Sequence, residues 1–310
     1  MEPGIDPAGV QPRSSQAASS QAASLRLGIV VVHHRTPGPL FDALWRLGAA
    51  APDAAVVLVD TAPDDEVLAA ARRIRPGLNV VATANHSYSH AVNRGLQELA
   101  ARAPGYLAIM NADVMVEPDT FARLIGTLAA TPGAGVAGPL ALVPSGKPQD
   151  LGPLYALEYR RLRRSPHGSV KVRWLSGCLQ VVDSAVVDAV GGYDTEYRFT
   201  NEDMEFCLRA AGAGFASLLV DTEVVHLGGT STPKHPAFHV EGRRGGYLLS
   251  EKYLPAVVTY LHRGFLRAEA ALGGALARDP VVKVGHQRMA RLIRDGAWYR
   301  SPFGATLDDR

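Results

Sequence analysis

The nine residues from Asn201, NEDMEFCLR, set Glu202 and Asp203 side by side, with Glu205 two positions on. A positioned carboxylate can take the proton from a hydroxyl as that hydroxyl attacks, so an acidic pair of this kind can do general-base work. The same acids also suit a first helical turn, with Asn201 as N-cap and the negative charge at the positive end of the macrodipole. That second reading needs no chemistry, and only the surroundings of the motif decide. Asp113, in IMNADVMV, follows a buried apolar run. A carboxylate placed there can meet a hard cation, and Mg²⁺ typically takes one or two protein carboxylates plus phosphate oxygens. Asp60 closes VVLVD in the same way and could accept a hydrogen bond from a base or ribose, or merely begin a turn. His226, in VVHLGGTS, lies far enough beyond Asp203 for a helix, a strand and a return to the same edge.

The segments that carry these residues read as alternating strands and helices. LGIVVVHH, from Leu27, is a β-branched run of the kind found in strands covered on both faces. A helix over Pro39 to Ala50, the strand AAVVLVD, a helix over Asp64 to Arg75, the strand LNVVATA, the helix SHAVNRGLQELAARA and the strand GYLAIMNAD follow in turn. This order predicts right-handed crossovers and a mostly parallel sheet, with ligands beyond the carboxyl ends of the strands. His33, His34, Asp60 and Asp113 all fall at those ends. The connection NHSYSHAVNRG offers Asn85, Ser87, Asn93 and Gly95 as amide and backbone donors around a nucleotide. Neither G-x-G-x-x-G after the first strand nor a G-x-x-x-x-G-K-[ST] phosphate loop is present, which argues against a nicotinamide-dependent dehydrogenase.

The second half is less regular. EPDTFARLIGTLAA reads as a helix, GAGVAGPLALVPSGKPQD as strand then loop, WLSGCLQVVD as a strand, SAVVDAVGG as a short helix and FASLLVDTEVVHLGG as strand then loop. Between them, Tyr155 to Arg173 is a basic stretch holding Arg160, Arg161, Arg163, Arg164, Lys171 and Arg173. It could meet an acceptor phosphate, such as that of an undecaprenyl-linked glycan, or be a solvated loop. Helices are expected over Gly242 to Leu272, and the tail with Trp298, Tyr299 and Phe303 has no clear pattern.

The bulk numbers are those of a globular protein: 310 residues, 47% hydrophobic, 20% charged, net charge +2. That balance gives no general case for nucleic acid as a partner. Cys178 and Cys207 are too few for a disulfide framework or a thiolate zinc site and read as reduced, buried thiols. Residues 1–24, rich in Ser, Ala, Gln, Pro and Gly, read as a disordered leader without the pattern of a signal peptide. No apolar run approaches the eighteen residues of a membrane span, which suggests a cytoplasmic protein and leaves peripheral contact with the inner face of the membrane open.

Taken together, VVVHHRTP, VVLVDTA, NHSYSHAVNRG, YLAIMNADVMVEPDTFARL, VVHLGGTS and above all the stretch ending GGYDTEYRFTNEDMEFCLRAAGAGF resemble family 2 glycosyltransferases of the GT-A fold, in the branch of bacterial rhamnosyltransferases. The likeness runs from Leu27 to Ser231. It implies an α/β GT-A domain over residues 25–240, with a nucleotide-binding half at about 25–115, an acceptor-binding half at about 116–240 and a helical extension over 241–310. NADV resembles the D-x-D metal motif with Asn111 in place of the first Asp. By the same resemblance, Asp113 and His226 would hold a divalent metal, Mg²⁺ or Mn²⁺, that bridges the donor diphosphate. Asp60 would hold the base or ribose, with His33, Arg35, Asn85, Ser87, Asn93 and Asn111 alongside the nucleotide sugar. Asp203 would be the general base. Glu202 would be its catalytic neighbour, orienting the base or binding the acceptor, and Trp174, Gly177 and Arg209 would stand on the acceptor side, Arg209 alternatively facing the diphosphate or pairing with an acid.

The implied reaction is transfer of a sugar, rhamnose from dTDP-rhamnose in the first instance, to a glycan or lipid-linked glycan hydroxyl. A single base on the face opposite the leaving diphosphate gives inversion. Glu205 is expected to be a solvated helix residue. Two other readings compete, a sugar nucleotidyltransferase and a catalytically silent nucleotide-sugar-binding module. Retention of Asp113, Asp203 and His226 together argues against the silent module. The C-terminal helices could form a homodimer, dock on a membrane or cover the acceptor site.

Overall fold

The computed structural model describes residues 27–229 and 234–309. The expected leader over 1–24 and the last residues of the GGTS loop lie outside them. Strand β1 (Leu27–His33) is followed by α1 (Pro37–Ala50), β2 (Ala55–Asp60), α2 (Asp65–Ile74), β3 (Asn79–Ala82), α3 (Tyr88–Ala100) and β4 (Tyr106–Asn111). Each boundary has a local cause. Pro residues open α1, Asp64 caps α2 by accepting from Glu66 and Val67 N–H, and Ser87 caps α3 by accepting from His90 N–H. The chain continues through β5 (Val114–Met115), α4 (Thr120–Ala130), β6 (Ala134–Leu142), α5 (Pro153–Leu162), β7 (Ser169–Val172), β8 (Leu179–Asp183), α6 (Ser184–Val190), α7 (Glu202–Gly212) and β9 (Ala216–His226). Helices α8 (Pro236–Tyr253), α9 (Ala256–Leu276) and α10 (Pro280–Arg294) close it.

The strands form one sheet in the order β3-β2-β1-β4-β8-β6-β9-β5, with β7 paired to β9. Strands β3, β2, β1 and β4 are parallel throughout. The chain steps from β1 outward to β3 and then returns to the other side of β1, so a crevice opens where β1 and β4 end side by side. Gly95 lets α3 lie against β1, since a Cβ there would stand 2.4 Å from Val30 Cγ1. Beyond β4 the sheet is mixed. Strand β8 is antiparallel to β4 and β6, while β9 runs parallel to β6. The two-residue strand β5 pairs antiparallel with the end of β9, setting Val114 opposite His226. The basic stretch after Tyr155 is loop only in part: it takes in most of α5 and all of β7, with Arg163 and Arg164 in the turn between them.

Helices α8 to α10 share a small core of their own, built on Tyr247, Leu248, Leu266 and Met289, against which Met204 and Leu208 of α7 pack. One expectation fails here. Glu205 is fully buried and accepts from Arg209, from Lys252 Nζ at 2.8 Å and from Tyr253 Oη at 2.8 Å. These partners hold its carboxyl below the usual range against the opposing effect of burial. It is the bolt between α7 and α8, because the end of α8 covers a helix face that looks solvated when α7 is read alone. The C-terminal tail then turns back along the crevice, where Leu307 N–H donates to Asn85 O and Arg198 donates to the carbonyls of residues 303–305.

Candidate active site

A cavity of about 460 Å³ opens at the carboxyl ends of β1 and β4. One wall comes from strand ends. His33 Nε2 accepts from Thr36 N–H at 3.0 Å, so its proton sits on Nδ1 and is donated to Asp60 Oδ2 at 3.1 Å. Asp60 itself is fully buried, and its Oδ1 accepts from Ala62 N–H. It therefore sits behind His33, holding the ring that lines the cavity.

Farther along this wall, Asp113 follows β4, and the loop after β9 comes to meet it. Leu227 N–H donates to Asp113 O, and Gly228 N–H donates to Asp113 Oδ2 at 3.1 Å. Gly228 and Gly229 both have φ above +60°, the left-handed turn that aims these donors. His226 Nδ1 lies 3.0 Å from Gln149 Oε1, which can only accept, so Nδ1 carries the proton. Its Nε2 lone pair then faces Asp113 Oδ1 at 3.3 Å and Asn111 Nδ2 at 3.4 Å. Two electron-pair donors at this spacing suit neighbouring ligands of one cation, which would stand about 3 Å apart when each is ~2.1 Å from the ion. Asn111 Oδ1 is buried with no hydrogen-bond partner among the described residues. The donor set thus fits a hard or borderline divalent ion held by few protein ligands. Among the described residues no third His, Cys, Asp or Glu joins it.

The opposite wall belongs to α7 and the loop before β8. Asp203 Oδ2 accepts from Gly177 N–H at 2.7 Å, and its Oδ1 accepts from Met204 N–H at 2.7 Å. Gly177 is needed for that approach, since a Cβ there would stand 3.1 Å from Asp203 Cβ. Tyr88 Oη donates to Gly177 O at 3.2 Å and steadies the loop from α3; burial, reinforced by Glu202, keeps this phenol protonated. Glu202 is buried, and its Oε2 has no partner among the described residues. Burial first, and the neighbouring Asp203 second, push its carboxyl well above the usual range. Burial also raises Asp203, but the N–H donors of Gly177 and Met204 pull the other way. Of the two acids, Asp203 is the one that ionises more readily.

Asn85, Ser87, Asn111, Trp174 and Gly177 line the cavity with His33, Asp113, Glu202, Asp203 and His226. Four residues expected in the site do not. Besides Asp60, Asn93 is spent on Tyr193, donating to its carbonyl and accepting from its N–H at 2.8 Å each. Arg35 is exposed and lies 3.6 Å from Asp308 of the tail. Arg209 grips Glu205 and donates to the carbonyls of Val190 and Gly192, so of its expected roles the geometry gives it the pairing with an acid. Asn201 holds the N-cap position in the left-handed region at φ 71°, yet its side chain caps nothing and donates instead to Gly242 O at 3.0 Å. Gln149, Tyr88 and Leu307 were not foreseen. Tyr88 lies within a segment already singled out, whereas Gln149 and Leu307 carry no local signal.

Residues 42–243 match the family profile described as "Glycosyltransferase like family 2", a span that takes in most of the sheet and both carboxylate walls. The chain belongs to glycosyltransferase family 2. This glycosyltransferase is 29% identical over 248 residues to the N-acetylglucosaminyl-diphospho-decaprenol L-rhamnosyltransferase of Mycobacterium tuberculosis, strains CDC 1551 and H37Rv, an overlap of 69% of this chain and 80% of the relative. Among solved structures it is similar to the mannosyltransferase PcManGT from Pyrobaculum calidifontis in complex with GDP-Man and Mn²⁺, with TM-score 0.55, 18% identity, and coverage of 88% of this chain and 83% of that one. It is also similar to S. aureus TarS, with TM-score 0.56, 13% identity, and coverage of 88% and 54%. At such identities the likeness is one of fold, and the fold of this glycosyltransferase is GT-A.

Proposed function

We propose that this enzyme is an inverting, divalent-metal-dependent rhamnosyltransferase that moves rhamnose from dTDP-rhamnose to a hydroxyl of a glycan or lipid-linked glycan. The observation that carries the reading is the pairing of two unlike carboxylate centres across one cavity: Asp113 with His226 on one wall, Asp203 with Glu202 on the other. The relative that acts as an L-rhamnosyltransferase supports the choice of sugar. PcManGT, solved with GDP-Man and Mn²⁺, supports a nucleotide-sugar donor and a metal.

Asp113 and His226 hold the cation, with Gln149 fixing the imidazole and Gly228 fixing the carboxylate. When bound, the ion supplies Lewis-acid stabilisation of the charge that develops on the departing diphosphate. His33, braced by Asp60, shapes the nucleotide end together with Asn85 and Ser87. Asp203 takes the proton of the acceptor hydroxyl as that oxygen bonds to the anomeric carbon and the sugar–phosphate bond breaks, giving inversion in one displacement. Gly177 and Met204 N–H each engage one carboxylate oxygen, fixing the orientation of the base. Glu202, the acid that better retains its proton, leaves Asp203 free to be the base.

Thermal unfolding with a panel of nucleotide sugars, each with and without Mn²⁺, tests this. A ligand of the native state at a hundred times its Kd adds about 2.7 kcal/mol of stability. dTDP-rhamnose is expected to raise Tm only with Mn²⁺, and Asp113→Ala is expected to abolish the shift. A shift with UDP or GDP sugars alone would discard rhamnose, and no shift with any donor would overturn the reading.

A further inference from the structure

A second cavity of about 370 Å³ lies beside the first, and the two share Gln149 and Leu151 as a common wall. Its far side is α5, which contributes Tyr159 and Arg160, and the C-cap residue Arg163, whose backbone continues the helical turn. Arg160 and Arg163 stand three apart, so they project from one face of the helix. Both are exposed, and among the described residues neither guanidinium has a hydrogen-bonding or ionic partner. Their neighbour Arg161, by contrast, is engaged by Glu158 and by Lys171 O. The helix starts at Gly152, with φ 95° and no side chain to cap it, so its positive end is turned to the same pocket. Asp150 is the one acid in the wall, and its Oδ1 is occupied by Gly152 N–H at 2.9 Å. Two unengaged guanidinium forks with a helix amino end and a single occupied carboxylate make a net positive recess. Guanidinium forks match the paired oxygens of a phosphate.

The position of this recess gives it a purpose. Gln149 holds the His226 ring on one side and walls the basic pocket on the other, and Tyr159 Oη donates to its carbonyl at 3.3 Å. An acceptor sugar whose hydroxyl meets Asp203 and whose other end passes over Gln149 and Leu151, the residues common to both cavities, would reach Arg160 and Arg163. We propose that this α5 pocket is the subsite for a diphosphate at the reducing end of the acceptor, so that the enzyme selects a diphosphate-linked glycan over a neutral one. The proposal rests on the glycosyl transfer proposed above and adds the charge of its acceptor.

The test is calorimetric titration of the full chain, with nucleoside diphosphate and Mn²⁺ in excess to fill the donor side. The probes are N-acetylglucosamine carried on a short prenyl diphosphate, its neutral octyl glycoside and inorganic diphosphate. The wild type is expected to bind the diphosphate-linked sugar at least tenfold more tightly than the octyl glycoside. The Arg160→Ala/Arg163→Ala double variant is expected to erase that preference while leaving the octyl glycoside Kd and the nucleotide-sugar Tm shift as they were. Arg161→Ala, which removes one positive charge beside the pocket, is expected to stay within twofold of wild type, and Arg160→Ala alone to weaken the preference. Equal binding of the two sugars by the wild type overturns the proposal, as does a double variant that keeps the preference. Weakening of inorganic diphosphate alone would mark a site for free phosphate and also overturn it. A chain that shows no Tm shift with any nucleotide sugar yet keeps an Arg160- and Arg163-dependent preference would refute the donor reading and leave this one standing.

Discussion

The two walls of the cavity use the same functional group in opposite electrostatic settings. On the strand wall, Asp113 meets a backbone N–H and a histidine lone pair at 3.3 Å, and the amide of Asn111 reaches the same histidine nitrogen. A carboxylate oxygen and an imidazole lone pair converge there, the arrangement on which the proposed divalent ion rests. On the helix wall, Asp203 and Glu202 lie next to each other, burial lifts both, and two backbone donors favour only Asp203. That arrangement raises Glu202 further than Asp203, the difference on which the proposed assignment of the base rests. What separates the proposed metal ligand from the proposed base is the identity of the neighbouring groups, since both are carboxylates near the end of an element.

On this contrast the two walls are expected to break differently. The largest effect is expected from Asp203→Asn, which keeps the shape and removes the basicity. General-base catalysis contributes about 10²–10⁴-fold, so kcat should fall by that factor while the metal-dependent Tm shift with donor is retained. Activity within a few fold of wild type would transfer the role of base to another group. Gln149→Leu is expected to act on the other wall and more weakly. It frees the His226 ring, and outer-shell partners of this kind are worth about 10–100-fold in metal affinity. Titration of Mn²⁺ by electron paramagnetic resonance in the presence of nucleoside diphosphate should show that loss, whereas unchanged affinity would mean Gln149 does not position the ligand.

The strand wall was largely legible from the sequence. Runs such as GIVVV and AVVLV can only be covered strands, and a polar residue where such a run stops must lie at the ligand-bearing edge of a parallel sheet. Even so, the pattern left Asp60 open between a nucleotide contact and a turn residue, and the fold buries it behind His33, which lines the cavity. Local pattern fixes the end of a strand but not which of two adjacent polar side chains stands in front. The helix wall was harder to read, because its character depends on distant segments. Glu205 looked solvated until Lys252 and Tyr253, more than forty residues later, closed over it. Asn93 looked like a nucleotide ligand until the Tyr193 backbone took both ends of its amide. Gln149 sits in a loop after β6, and Leu307 arrives with the tail; no periodicity announces either.

The smallest expected effect is on stability, and it sharpens the account of the helix wall without reference to catalysis. Burial holds the Glu202 carboxyl well above its ordinary value of 4.5, so the folded protein keeps a proton that the unfolded chain has already released. The sign follows directly: wherever the native state binds more protons than the unfolded state, stability falls as pH rises. The loss should begin near the unfolded value of about 4.5 and continue until the folded carboxyl has itself titrated. Glu202→Gln cannot ionise, so it should remove this slope and be the more stable protein at the alkaline end. The gain should be on the order of 1 kcal/mol, since each tenfold by which folding tightens the carboxyl's hold on its proton is worth about 1.4 kcal/mol. Urea unfolding of both proteins across this range reads the difference. Parallel curves would mean that Glu202 is ionised in the native state, and the division of labour between the two acids would have to be redrawn with Glu202 as a competing base.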